Sequence, residues 1–166
     1  MLLAVISDTH MPRGDRVLPA ACVERLRGAD LILHAGDFTT ADVLADLRAL
    51  GPPVQAVHGN VDDIEVRRLL PSARLVNAAG ARIAMTHDAG PADGRLRRLR
   101  QRFADADAVV FGHSHIPLHE RDEASGFQIF NPGSPTDRRR SPVHTMGLAH
   151  VGDGGEVSFE HVDLGR

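Results

Sequence analysis

The chain has 166 residues, 42% of them hydrophobic and 25% charged, which suits a single soluble domain with a sizeable core. Its formal charge is −3, so it lacks the basic footprint of a stable nucleic-acid partner, and without Trp or Tyr it lacks the usual platform for stacking bases. All 19 basic residues are arginine, which reads as a compositional bias rather than as a function.

Residues 2–6 are short, continuous and apolar, which predicts a buried strand. The same run is too short for the core of a signal peptide. Pro12, Gly14 and Pro19 punctuate the loop that follows. Cys22, Val23 and Leu26 fall at helical spacing within 19–27, with Gly28 as the stop. As the single cysteine, Cys22 has no internal partner, which fits a reducing compartment. A second strand is predicted over 30–34 and a helix over 41–50, capped by Thr39 or Thr40 with Val43, Leu44 and Leu47 on one face. Gly51-Pro52-Pro53 ends it, a third strand runs over 54–58, and a short helix over 63–70 stops at Pro71. Strand and helix alternating three times signals a parallel sheet.

The pattern then changes. Residues 73–78 and 81–86 flank Ala79-Gly80 and read as a hairpin. Asp93 is placed to cap a helix over 94–103, with Leu96, Leu99 and Phe103 apolar on one side. A buried strand over 107–111 follows, and the remainder reads as strands over 117–122, 127–130, 143–151 and 156–163. Two packed sheets with helices outside would bury all of them. No apolar run approaches the ~20 residues of a membrane helix, so a cytoplasmic protein without a membrane partner is expected.

Five strand ends deliver side chains of metal-ligand type. They are Asp8-Thr9-His10, His34-Ala35-Gly36-Asp37, His58-Gly59-Asn60-Val61-Asp62, Thr86-His87-Asp88 and Gly112-His113-Ser114-His115. Open α/β sheets bind ligands at the carboxyl ends of their strands. Asp8, His10, Asp37, Asn60, His87, His113 and His115 offer carboxylate, imidazole and amide groups without a thiolate, a set that suits catalytic Mn, Fe, Zn or Co. Seven ligands are too many for one ion and enough for two. Two ions ~3.5–4 Å apart are a known device for in-line displacement at phosphorus. A carboxylate bridging them would hold that spacing, and Asp37 is the natural candidate. The alternative is that some of these groups are satisfied loop residues, with Asp8 and Asn60 capping helices.

In this order, the five motifs resemble the calcineurin-like metallophosphoesterases. They resemble most the small bacterial and archaeal phosphodiesterase branch, which is similar to the small retromer subunit. The resemblance runs to about Arg140 and includes Asn131-Pro132-Gly133-Ser134. It implies one domain over 1–166 with an α/β fold, a four-layer α/β/β/α sandwich of two mixed sheets flanked by helices. It implies that Asp8, His10 and His115 bind one metal, that Asn60, His87 and His113 bind the other, and that Asp37 bridges them. The expected cofactors are two divalent ions, manganese foremost, with iron, zinc, nickel or cobalt as alternatives. The implied activity is hydrolysis of a phosphate ester, a diester by expectation, by a metal-bridging hydroxide. Asp37, Asn60 and His113 are the expected catalytic residues, and Asn60, Arg138 and Arg139 the expected substrate contacts. Two other readings stand beside it: a phosphomonoesterase, and a protein-binding scaffold of the retromer-subunit type. A homo-oligomer is left open.

Two departures matter. Many family members have His where this chain has Val61, and that His protonates the leaving group, which Val61 cannot do. After His87 the family usually has Gly; here Asp88 and Ala89 stand there, so Asp88 either orients His87 or reshapes the rim. His34 and His58 also end strands and are read as loop or supporting groups, and His119, His144, His150 and His161 as surface or core histidines. The run Arg95, Arg97, Arg98, Arg100 and Arg102 reads as a solvated helix face. Arg138-Arg139-Arg140 reads either as a phosphate clamp or as a solvated loop.

Overall fold

The computed structural model describes residues 1–166. Along β1 (Leu2–Ile6), successive side chains face opposite ways, and both faces are buried. Leu3 and Val5 enter one core cluster, Ala4 and Ile6 another. The same division holds in β2 (Leu31–His34), where Leu31 and Leu33 join the first cluster and Ile32 the second. The second cluster is closed by Cys22 and Leu26 of α1 (Ala20–Arg27), by Val43, Leu44 and Leu47 of α2 (Ala41–Arg48), and by Val66 of α3 (Ile64–Leu69). With β3 (Val54–Ala56), β1 and β2 form a parallel βαβαβ run.

The hairpin of β4 (Ala73–Ala78) and β5 (Ala81–Thr86) starts a second sheet. Helix α4 (Arg95–Arg102) crosses from β5 to β6 (Ala108–Val110), which lies parallel to it. Then come β7 (Leu118–Arg121), β8 (Gln128–Asn131), β9 (Thr145–Val151) and β10 (Val157–Asp163). The two sheets have the orders β10-β9-β1-β2-β3 and β4-β5-β6-β8-β7, and each mixes parallel with antiparallel pairs. Ile83, Met85, Val110 and Phe130 of the second sheet meet Leu3, Val5 and Leu33 of the first in one cluster between the sheets. Ala84, Val109 and Ile129 face outward to Leu99 of α4. The layers are therefore helices, sheet, sheet and helix, as expected from the sequence.

Local details differ from the sequence expectations. Strand β3 stops at Ala56 because the pairing runs out: the Val57 amide still donates to the His34 carbonyl of β2, but the His58 amide turns to the Pro71 carbonyl. Helix α4 is capped by Gly94 at φ 62°, a left-handed backbone that favours glycine, and not by Asp93. Asp63 caps α3, accepting from the Val66 amide at 2.8 Å. Neither Asp8 nor Asn60 caps a helix, since the four helices start from Pro19, Thr40, Asp63 and Gly94. Two arginines of α4 strap their own fold: Arg98 donates to the carbonyls of Ala89, Pro91 and Asp93, and Arg95 to that of Gly90. No helix is long and apolar enough to cross a membrane.

Candidate metal centre

Parallel pairing puts the carboxyl ends of β1, β2 and β3 on one edge of the first sheet, and those of β5 and β6 on one edge of the second. Asp8 and His10 follow β1, Asp37 follows β2 and Asn60 follows β3; His87 follows β5, and His113 and His115 follow β6. The sheet packing brings all seven side chains together. His115 Nε2 lies 3.3 Å from Asp8 Oδ1 and 3.2 Å from His10 Nε2. Asp37 Oδ2 lies 3.5 Å from His10 Nε2 and 3.2 Å from His87 Nε2. Asn60 Oδ1 sits 3.1 Å from His87 Nε2 and 2.8 Å from His113 Nδ1. Two groups are close enough to hold an ion, Asp8-His10-His115 and Asp8-Asp37-His87. Asp8 Oδ1 is 3.8 Å from His10 and 4.0 Å from His87, so both carboxylates lie between the histidines.

The backbone is bent to make this cluster. Asp8, His10, Asp37, His113 and His115 all have positive φ, between 46° and 70°. Such a conformation costs of order 1–3 kcal/mol per residue and persists where its surroundings enforce it, typically at functional sites. Glycines allow the close approach. A Cβ on Gly59 would overlap the Asp37 carboxylate, and one on Gly112 would overlap Ser7 Oγ.

The outer atoms of the candidate ligands are tied down. His87 Nδ1 donates to the Ala35 carbonyl at 2.8 Å and His115 Nδ1 to the Asp137 carbonyl at 2.5 Å, which leaves each Nε2 lone pair aimed at the cluster. Asp88 does not orient His87; its Oδ1 accepts from the Gly90 amide at 2.7 Å, and it lies on the rim. His10 Nδ1 is buried without a partner. Asp8 accepts from the His113 amide at 3.0 Å, and Asp37 Oδ1 from the Val61 amide at 3.0 Å.

Burial alone would raise both carboxyls. At Asp8 it is outweighed by hydrogen bonds to His10 and His115 and by the charge of His87, so this group stays well below the usual carboxylate range. At Asp37 the bond to His87 has the same effect. Conversely, burial pulls His87 down, but Asp37 and Asp8 more than reverse it and hold its pKa above normal. Two partly desolvated carboxylates crowded among convergent imidazoles, on strained loops, fit divalent cations.

Two residues outside the predicted set, Asp62 and Asp137, build the frame, together with His34 in the supporting role expected of it. Buried Asp62 accepts from the amides of Asp37 (3.1 Å), Thr39 (2.8 Å) and Gly59 (2.7 Å), tying the loops after β2 and β3 together. Its place in the Gly59-Asn60-Val61-Asp62 motif was the only sequence signal. Asp137 supplies the carbonyl for His115 and pairs with Arg16 at 2.8 Å. Buried His34 accepts from the Gly36 amide at Nδ1 (3.1 Å), contacts Thr9 Oγ1 through Nε2 (3.2 Å) and stacks on Phe38. Burial pushes His34 down to about 3, so it is a neutral support.

The Asn131–Ser134 loop anchors from the other side. Asn131 Nδ2 donates to the Gly112 carbonyl (2.9 Å), and Ser134 Oγ donates to the Asp8 carbonyl (2.8 Å). In the following loop, Arg138 Nη1 donates to the Ser141 carbonyl at 2.8 Å, whereas Arg139 Nη1 reaches the His113 carbonyl at 3.4 Å. Half-buried His58 contacts only the Gly59 carbonyl through Nδ1 (3.2 Å). His161, an exposed residue of β10, donates to the Asn131 carbonyl at 2.8 Å and stacks on Phe130.

Known proteins share both sequence and fold. A protein of Methanothermobacter thermautotrophicus named "Probable metallophosphoesterase" is 36% identical over 158 residues, covering 92% of this chain and 88% of that one. The fold matches Vps29 of Entamoeba histolytica, solved complexed with Zn²⁺, at a TM-score of 0.76 and 24% identity over 99% of both chains. It also matches an archaeal phosphodiesterase at a TM-score of 0.72 and 18% identity, covering 98% of this chain and all of that one. The "Calcineurin-like phosphoesterase superfamily domain" profile matches residues 1–154. The two mixed sheets, the clustered Asp and His side chains and this match together assign the chain to the calcineurin-like phosphoesterase superfamily and support a metal-dependent phosphoesterase.

Proposed function

We propose that the protein is a dinuclear metal-dependent phosphodiesterase. Asp8, His10 and His115 would hold one divalent ion, Asn60, His87 and His113 the other, and Asp37 would be shared between them, with manganese the first metal to test. The observation that carries this reading is the position of Asp37 Oδ2, within 3.5 Å of histidines from both groups. Divalent ions held there would supply Lewis acidity at phosphorus and water activated near neutral pH.

The chain's own groups set the rest. Asn60 and His113 are the exposed members of the seven, so an ester approaches over them. Arg139, whose Nη1 reaches the His113 carbonyl, would donate to phosphate oxygens, whereas Arg138 is engaged in its own loop. Gly59, Gly36 and Gly112 keep the loops close enough for the carboxylates to converge. Val61 holds Asp37 through its amide and has no side-chain proton for a leaving group. The scaffold reading predicts weak metal binding and no turnover. The test is hydrolysis of bis(4-nitrophenyl) phosphate and of 4-nitrophenyl phosphate with added Mn²⁺. Faster turnover of the diester supports the proposal. Preference for the monoester would make the protein a phosphomonoesterase, and no turnover of either would favour the scaffold.

A further inference from the structure

Beside the exposed face of the metal centre lies a cavity of about 350 Å³. Asn60 and His87 form one wall of it, so it opens directly onto the site. Arg67 of α3 and Arg102, the last residue of α4, face it with His58 and Asp88. None of its nine lining residues is apolar, which makes it a poor seat for an aryl or alkyl group.

Its charge is basic, with two guanidiniums against one carboxylate. Arg67 is held in place because Nε donates to the Asp62 carbonyl at 2.8 Å and Nη2 to the Asn60 carbonyl at 2.7 Å, and its Nη1 has no partner. Arg102 makes no ion pair or hydrogen bond and rests against the Phe103 ring at 4.9 Å. Asp88 is turned to the Gly90 amide through Oδ1. A preorganised planar donor and a second, free one across a polar cavity match an oxyanion.

We propose that this cavity binds a second anionic group, a phosphate or a carboxylate, carried by the ester whose phosphorus lies at the metal centre. The inference rests on the phosphoesterase reading and narrows its substrates to esters bearing a further negative charge.

The test has two arms. In the first, inorganic phosphate and then acetate are titrated into chelator-treated protein and followed by calorimetry and by the arginine Nε–H signals in nuclear magnetic resonance. Saturable binding is expected, with a shift at Arg102, and Arg102→Gln should weaken it about tenfold, the order of one charge-assisted hydrogen bond. Arg97→Gln, on the same helix outside the cavity, serves as the control. The stronger of the two anions identifies the preferred group. In the second arm, Mn²⁺-loaded protein is given two 4-nitrophenyl phosphodiesters that differ only in whether the other arm ends in carboxylate or methyl. The wild type should favour the carboxylate ester in kcat/KM by about tenfold, and Arg102→Gln should erase that preference while Arg97→Gln keeps it. Equal kcat/KM for both esters, or a preference unchanged in Arg102→Gln, overturns the proposal. Failure to hydrolyse either ester would refute the phosphoesterase reading instead. The first arm then decides alone: binding weakened by Arg102→Gln supports the subsite, and binding absent or unaffected overturns it.

Discussion

Asp62 is the residue whose replacement tests how the site is built. It accepts three backbone hydrogen bonds and is 4% exposed. Oδ2 takes the amides of Asp37 and Gly59, and Oδ1 takes that of Thr39. In Asp62→Asn one oxygen becomes an NH₂ group. The less damaging orientation keeps the oxygen on Asp37 and Gly59 and turns the NH₂ toward the Thr39 amide. One bond to a charged acceptor is lost, ~1.5–3 kcal/mol, and two donors face each other in its place. We therefore expect a loss of about 2–3 kcal/mol in stability, and a larger loss for Asp62→Ala, which orphans all three amides. The loops carrying Asp37 and Asn60 would no longer be locked together. Loss of such outer support typically costs ~10–100-fold in metal affinity. Urea unfolding of chelator-treated protein, followed by circular dichroism because the chain has no Trp or Tyr, measures the first effect, and a Mn²⁺ titration measures the second. An Asp62→Asn protein within about 0.5 kcal/mol of wild type, with unchanged metal affinity, would show that the loops are held by something else.

Stability of the metal-free protein should peak near pH 6.5. The depressed His34, at about 3, leaves the native state short of a proton that the unfolded chain binds, so stability falls by about 1.4 kcal/mol per unit from pH 6.5 toward 3. The raised His87 acts on the other side: its contribution is complete below the unfolded value and is lost as pH rises through the folded one. Asp8 and Asp37, both depressed, remove further stability as pH falls below about 3.8. Thermal unfolding across pH 3 to 9 in chelator checks this, and a flat profile from 6.5 to 4 would contradict it. Rates on aryl diesters of graded leaving-group pKa should depend steeply on that pKa, and Val61→His should rescue the poorest leaving groups, since general acid catalysis contributes ~10²–10⁴-fold. A flat dependence with chemistry rate-limiting would mean that another group, His58 first, gives the proton. Arg139→Ala should raise KM without altering metal content, whereas Arg138→Ala should lower stability by about 1 kcal/mol and leave KM alone. The reverse pattern would exchange their roles.

The sequence made the fold legible because its strands are buried on both faces or alternate cleanly. Leu2–Ile6 and Ala108–Val110 needed no context, and the hairpin at Ala79-Gly80 announced itself through its turn. The seven candidate positions stand out for the same reason, as polar residues where apolar runs stop, and the fold brings them together. What stayed hidden depends on contacts between distant segments. Asp137 and His115 are 22 residues apart, and nothing in the sequence says that a carbonyl will hold that imidazole. The capping of α4 by Gly94 was missed because an aspartate one residue earlier looks like the better cap; only the left-handed backbone reveals the glycine. The cavity between α3 and the end of α4 could not be read at all, since Arg67 and Arg102 look like ordinary solvated arginines until the two sheets pack.

In the proposed function two ions share Asp37. The most direct measurement is the metal content of Mn²⁺-reconstituted protein by mass spectrometry, for wild type and for Asp37→Asn, beside the circular dichroism spectrum of each. Two ions per chain are expected in the wild type, and one or none in Asp37→Asn, with the spectrum preserved and diester hydrolysis lost. A wild type that saturates with a single ion, or an Asp37→Asn protein that keeps both ions and near-normal turnover, would contradict this sharing.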